Sequence, residues 1–125
     1  MVTDWEGWCR GASGITAEGN TVVVETSGSR RQAIRVTETG DTLEFAGVVA
    51  RAAAIDHLEE RSVRLWRRNR SAQLVGYRRD EKGRLVGEAW IPKAGLTREE
   101  FLSCLRHVAA ECDLFEFHLT GQDQE

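Results

Sequence analysis

A chain of 125 residues, 41% hydrophobic and 30% charged, has the length of one domain with a sizeable core and the balance of a water-soluble fold. Its net charge of −3 and pI of about 5.7 argue against a general nucleic-acid grip, for which a basic domain is expected. The residues after Met1 lack the basic and apolar segments of a secretory signal. The longest apolar run, AGVVARAAAI, is broken by Arg51 and too short to span a bilayer. The three cysteines are an odd count, and Cys104 and Cys112, eight residues apart on one expected helix, stand about 12 Å apart along its axis, beyond disulfide reach. A reduced, cytoplasmic protein with a single domain over residues 1–125 is the expectation.

Residues 3–12, TDWEGWCRGA, have the pattern of a short helix. Thr3 and Glu6 are spaced as a capping box, Trp5, Trp8, Cys9 and Ala12 share a face, and Ser13-Gly14 ends it. Three strand-like runs follow. TVVVETS (21–27) is β-branched between Gly19-Asn20 and Gly28. RQAIRVTE (31–38) alternates and stops at Thr39-Gly40-Asp41. TLEFAGVVARAA (42–53) begins with alternation at Leu43 and Phe45 and blurs into alanines. The short turns between these runs favour an antiparallel meander.

Residues 56–69, DHLEERSVRLWRRN, read as a second helix, capped by Asp56 and carrying Ile55, Leu58, Ser62, Leu65 and Trp66 toward the core. Arg61, Arg64, Arg67 and Arg68 fall largely on its outer face, near the C-terminal end where cations suit the helix dipole. A hairpin follows: AQLVGYRR and RLVGEAWI flank Asp80-Glu81-Lys82-Gly83, whose glycine suits a tight turn, and Pro92 closes it. The last element opens on a second capping box, Thr97 to Glu100. From there Phe101, Leu105, Val108, Cys112, Phe115 and Leu119 recur at helical steps. Beyond Asp113 the pattern is divided, because Leu114 and Phe117 leave the stripe and FEFHL also alternates like a strand. So many large apolar groups near the C-terminus favour a partner surface. The expected order is α-β-β-β-α-β-β-α, an α+β fold with an antiparallel sheet packed with helices.

The charge is unevenly placed. Residues 61–84 hold nine basic side chains opposed only by Asp80 and Glu81, leaving +7 in that window and −10 in the rest. Three readings of the window stand: a solvated scaffold face, a docking patch for an acidic partner or a second subunit, or a phosphate grip. Arg61, Arg64, Arg67, Arg68, Arg78 and Arg79 are the candidates for the patch. Trp66, on the apolar side of its helix, is better suited to the core than to base stacking.

Catalytic patterns are absent from the sequence. GASG and SGS do not match a nucleophile elbow, there is no phosphate-binding loop, and the acid pairs Glu59-Glu60 and Glu99-Glu100 sit in helix first turns, where the dipole explains them. Cys104, His107 and Glu111 share a helix face and could in principle ligate zinc, but no C-x-x-C or H-x-x-x-H pair accompanies them. No catalytic residue, metal or cofactor is expected.

The hairpin LVGYRRDEKGRLVGEAWIP and the segment GLTREEFLSCLRHVAAECDLFEFHL carry a resemblance. A glycine-bearing strand (Gly76), an acidic turn with glycine (80–83), a hydrophobic strand (85–91), Pro92, Leu96-Thr97 and a long terminal helix follow one another as in the YbjN family and the wider fold of type III secretion chaperones. The resemblance is firmest over residues 56–119. It implies a non-enzymatic homodimer that binds a segment of a client protein. The heavy basic window departs from the pattern, and no secretion context is visible. The resulting expectation is a chaperone-like or regulatory adaptor acting on a protein or peptide partner. Phe101, Leu105, Val108, Phe115 and Phe117 are placed at core and interface, and a nucleic-acid-associated protein using residues 61–84 is the alternative.

Overall fold

A computed structural model describes residues 4–50 and 75–120. The chain runs α1 (Trp5–Cys9), β1 (Ile15–Glu18), β2 (Thr21–Glu25), β3 (Arg31–Thr39), β4 (Thr42–Ala50), β5 (Gly76–Arg79), β6 (Leu85–Pro92) and α2 (Arg98–Thr120). The helix expected over residues 56–69, with Arg61, Arg64, Arg67 and Arg68, lies outside the described residues.

Helix α1 forms where the two tryptophans and Cys9 can share a face, but it is shorter than the sequence pattern suggests. Its cap is Asp4, whose Oδ1 accepts from the Gly7 amide at 3.3 Å; Thr3 of the expected Thr3–Glu6 box lies outside the described residues. A carboxylate at this position suits the positive end of the helix. The helix ends at Arg10 rather than at Ser13-Gly14.

The sequence pattern also missed a strand. Ile15–Glu18 is only four residues between glycines, too short to show a period. It pairs with β2 from Ile15↔Val24 to Glu18↔Thr21. The Gly19-Asn20 pair is therefore the two-residue turn of a hairpin, with Gly19 at φ +62°, and not merely the start of the next strand.

All neighbours in the sheet are antiparallel, and the strands are ordered β1-β2-β3-β4-β6-β5. Strands β2, β3 and β4 form the expected meander, and β1 extends it at the edge. After β5, the chain turns back through Asp80–Gly83 to insert β6 beside β4. The turn is held by the Asp80 carboxylate, which accepts from the amides of Lys82 at 3.0 Å and Arg84 at 2.8 Å. Gly83, at φ +81°, supplies the left-handed residue anticipated for this turn. In β4 the register slips between Val48 and Ala50. There the carbonyl of Val48 accepts a 3.1 Å bond from the side chain of the buried Gln32.

Helix α2 begins with the expected capping box. The Glu100 amide donates to Thr97 Oγ1 at 3.1 Å and the Thr97 amide to Glu100 Oε1 at 3.0 Å. The helix continues to Thr120, which assigns the ambiguous residues 113–120 to helix. Its inner face lies on one side of the sheet. Phe101, Leu105, Val108 and Cys112 have no exposed surface, nor do Ile34, Leu43 and Phe45 beneath them. Phe101 binds the layers together: its ring lies 5.6 Å from that of Phe45, and 6.1 and 5.4 Å from those of Trp5 and Trp8.

Two glycines set how closely α2 approaches the sheet. Gly47 and Gly87 face each other across β4 and β6. A Cβ on Gly87 would stand 2.6 Å from Cys112 Sγ and 2.9 Å from Tyr77 Cε1; one on Gly47 would stand 3.2 Å from the same sulfur. The glycine pair is thus a slot into which the Cys112 thiol settles, 3.9 Å from the Gly47 carbonyl. At that separation Tyr77 reaches from β5 to the helix. Its hydroxyl donates toward Glu111 Oε1 at 3.1 Å and the Glu111 carbonyl at 3.2 Å, while its ring meets Phe115 edge-on at 4.6 Å.

Overpacking the slot has a measurable cost. Gly87→Ala is expected to destabilise the chain by about 1–3 kcal/mol, read from its urea midpoint. Adding Cys112→Ala should recover part of that loss by removing the nearest obstructing atom, so the two substitutions are non-additive.

Candidate protein-docking surfaces

The five apolar residues proposed from the sequence for core and interface are divided by the fold. Phe101, Leu105 and Val108 are fully buried and Phe115 is 3% exposed, all within one chain. They therefore pack against the sheet of their own chain, the core part of the expectation. A helix lying over a six-stranded sheet can bury its whole inner stripe without a second subunit. Phe117 lies on the other side of α2, 40% exposed, and Leu114 beside it is 42% exposed. Both stand near a groove of about 470 Å³ between α2 and the β2–β3 turn. It is lined by Glu25, Thr26, Arg30, Arg106, Asp113 and Leu114, among others. Across it, Arg30 Nε donates to Asp113 Oδ2 at 3.0 Å, and its guanidinium carbon lies 6.0 Å from the Phe117 ring centroid.

The sheet face turned away from α2 is a second surface, which the sequence reading did not single out. On β4 and β6 the positions turned away from α2 include the pairs Glu44↔Trp90 and Ala46↔Glu88, with Val48 next along β4 opposite the buried Val86. Trp90 is 56% exposed and Val48 38%. The available signal was parity. Trp90 is out of phase with the inward Leu85, Ala89 and Ile91, so a strand placing those inside has to put Trp90 outside. A large, rigid ring with a polar N–H is the commonest anchor of protein interfaces.

The described part of the arginine window is partly neutralised from within. Arg78 Nε donates to Glu88 Oε1 at 2.7 Å, across the β5–β6 ladder, and Arg84 pairs with Asp80 at 2.8 Å. Arg79 is exposed on β5, the edge strand. Paired cations with nearby carboxylates release fewer counterions to a phosphate backbone than isolated ones.

The zinc candidates do not converge. Among the described residues no three His, Cys, Asp or Glu side chains are grouped to hold a metal. Burial pushes the Cys104 thiol up to about 11, so the thiolate that binds zinc is disfavoured. Glu111 is engaged by Tyr77 instead. Cys112 is pushed up to about 12, by burial first and by the neighbouring Glu111 next.

No family model and no curated protein sequence matches the chain. Among solved structures it is similar to a chain of the ExsC–ExsE complex, with a TM-score of 0.58 at 15% identity, covering 87% of this chain and 84% of that one. At that identity the likeness is one of fold. It agrees with the α+β, type III secretion chaperone-like architecture expected from the sequence.

The burial of the thiols gives a direct check. Iodoacetamide in mildly alkaline native buffer should leave Cys104 and Cys112 unmodified, and in concentrated guanidinium it should alkylate both, as read by peptide mass spectrometry. Native-state labelling of Cys112 would contradict its seat between Gly47 and Gly87.

Proposed function

We propose that the chain is a non-enzymatic protein-binding module, a chaperone-like or regulatory adaptor that acts in the cytoplasm as a homodimer on a protein or peptide partner. The observation that carries this reading is the fold likeness to a chain solved within the ExsC–ExsE complex. The YbjN-like features of residues 56–119 belong to the same reading. Support comes also from the sheet face opposite α2, where Trp90 and Val48 are exposed between the charged groups of Glu44, Glu88 and Arg78. That mixture of an aromatic anchor with a polar surround suits a protein segment laid across the strands.

The alternative, phosphate binding through residues 61–84, draws less support from the described residues, since Arg78 and Arg84 already have carboxylate partners. The remaining members of the proposed acidic-partner patch, Arg61, Arg64, Arg67 and Arg68, lie outside them.

Two measurements test the reading. Light scattering should give a mass of about twice 14.0 kDa, unchanged between low and high salt because an apolar interface is not screened; a monomer at both salts overturns the dimer. Peptides selected from a phage-displayed library should bind with little dependence on salt, and Trp90→Ala should weaken them by about tenfold or more, roughly 1.4 kcal/mol. Failure to select any peptide, together with tight duplex binding that falls steeply with salt, would overturn protein binding in favour of nucleic acid.

A further inference from the structure

Trp90 and Glu44 stand directly opposite each other on the sheet face turned away from α2. The ladder fixes how close they come. The Lys93 amide donates to the Asp41 carbonyl at 2.8 Å, and along an antiparallel pair hydrogen-bonded and non-hydrogen-bonded positions alternate. Counting back from Lys93, Ile91 opposite Leu43 is again a bonded position, and Trp90 opposite Glu44 falls at a non-bonded one. Such positions bring the two Cα atoms to about 4.5 Å and the side chains closest together. A large ring, 56% exposed, thus has a carboxylate at its side.

That carboxylate is open to a partner. Among the described residues the Glu44 side chain has no ion pair and no hydrogen bond. Besides Trp90, its neighbours on this face are the small Ala46, Thr37 across on β3, and two charged groups on the diagonals, Arg35 and Glu88. Glu88 already accepts from Arg78 at 2.7 Å, and no ion pair joins Arg35 to Glu44. Glu44 is also half-buried, so holding a ligand costs it less side-chain freedom than a fully exposed glutamate would lose.

An aromatic face beside an unpaired carboxylate is complementary to a flat cation. Indole is the best of the aromatic side chains for a cation to lie over. A guanidinium can stack on it while its edge N–H groups reach a carboxylate. The ammonium of lysine is a compact, strongly hydrated charge with no plane to stack. A phosphate would be repelled by Glu44 and Glu88. We propose that Trp90 and Glu44 form a subsite for an arginine side chain of the client segment, its guanidinium stacked on the indole and donating to the Glu44 carboxylate. This rests on the protein-binding reading above and adds the chemistry of the partner. A single charge pair keeps the salt dependence shallow.

The test is a nitrogen-15 NMR titration of the full chain, in which each of the four tryptophans gives its own indole N–H signal. The Trp90 signal is assigned by its loss in Trp90→Phe. N-acetyl-L-arginine amide should shift it, and the uncharged isostere N-acetyl-L-citrulline amide should not. Glu44→Gln should weaken the arginine amide by about threefold, with the indole signals of Trp5 and Trp8 unmoved as the sign of an intact core. In synthetic copies of peptides selected by phage display, citrulline in place of arginine should weaken binding by about tenfold. Citrulline that serves as well as arginine in either assay, or a Glu44→Gln chain that binds the arginine amide undiminished, overturns the subsite and leaves protein binding standing. Failure to select any peptide, with the arginine amide still bound at Trp90, overturns protein binding and leaves the subsite standing.

Discussion

The seat of the Cys112 thiol between Gly47 and Gly87 is the constraint on which the other contacts of the core depend. The two glycines face each other across β4 and β6, and the absence of both Cβ atoms lets α2 settle onto the sheet. From that height Phe101 reaches Phe45 below and Trp5 and Trp8 alongside. At the other end of the helix Tyr77 reaches Glu111 and Phe115. The first set of contacts ties α1 to the sheet and the second ties the edge strand β5 to the helix. Because interiors pack at crystal-like density, neither end can move outward without opening the other.

This arrangement decides which surfaces remain for partners. The inner stripe of α2 is consumed by the sheet, so its apolar residues are structural. Among the described residues, what remains outward is a ridge of low charge on α2 and a sheet face carrying Trp90 and Val48. Among the described residues the two lie on opposite sides of the sheet. Ion pairs within the chain limit how far charge alone could recruit a partner: Arg78 with Glu88, Arg84 with Asp80, Arg30 with Asp113, and Lys93 with Glu38 at 2.8 Å.

Elements written in local chemistry were legible from the sequence. The Thr97–Glu100 capping box, the Asp80–Gly83 turn and the meander are decided by groups only a few residues apart, and the structure shows them as expected. Misses came where local signals competed or were too brief. Asp4 caps α1, and the sequence did not single it out because two capping residues, Thr3 and Asp4, stand side by side and their spacing does not say which aligns with the first free amide. Strand β1 leaves no mark in the sequence because four residues cannot display a period, although Gly19-Asn20 marks its turn. The strand-like alternation of FEFHL was overruled by Phe115, which packs on Tyr77 as the next step of the helical stripe.

The sequence by itself determined the class of fold, because the periods of its apolar residues and the chemistry of its turns are properties of neighbours in the chain. It also determined that Phe101, Leu105, Val108 and Phe115 leave water together. Only the tertiary structure decided where they go. A stripe of apolar residues has the same pattern whether it meets a sheet of its own chain or the surface of another. The glycine slot was decided there too, since it depends on residues brought together by strand pairing and helix docking, at separations along the chain that no local pattern spans.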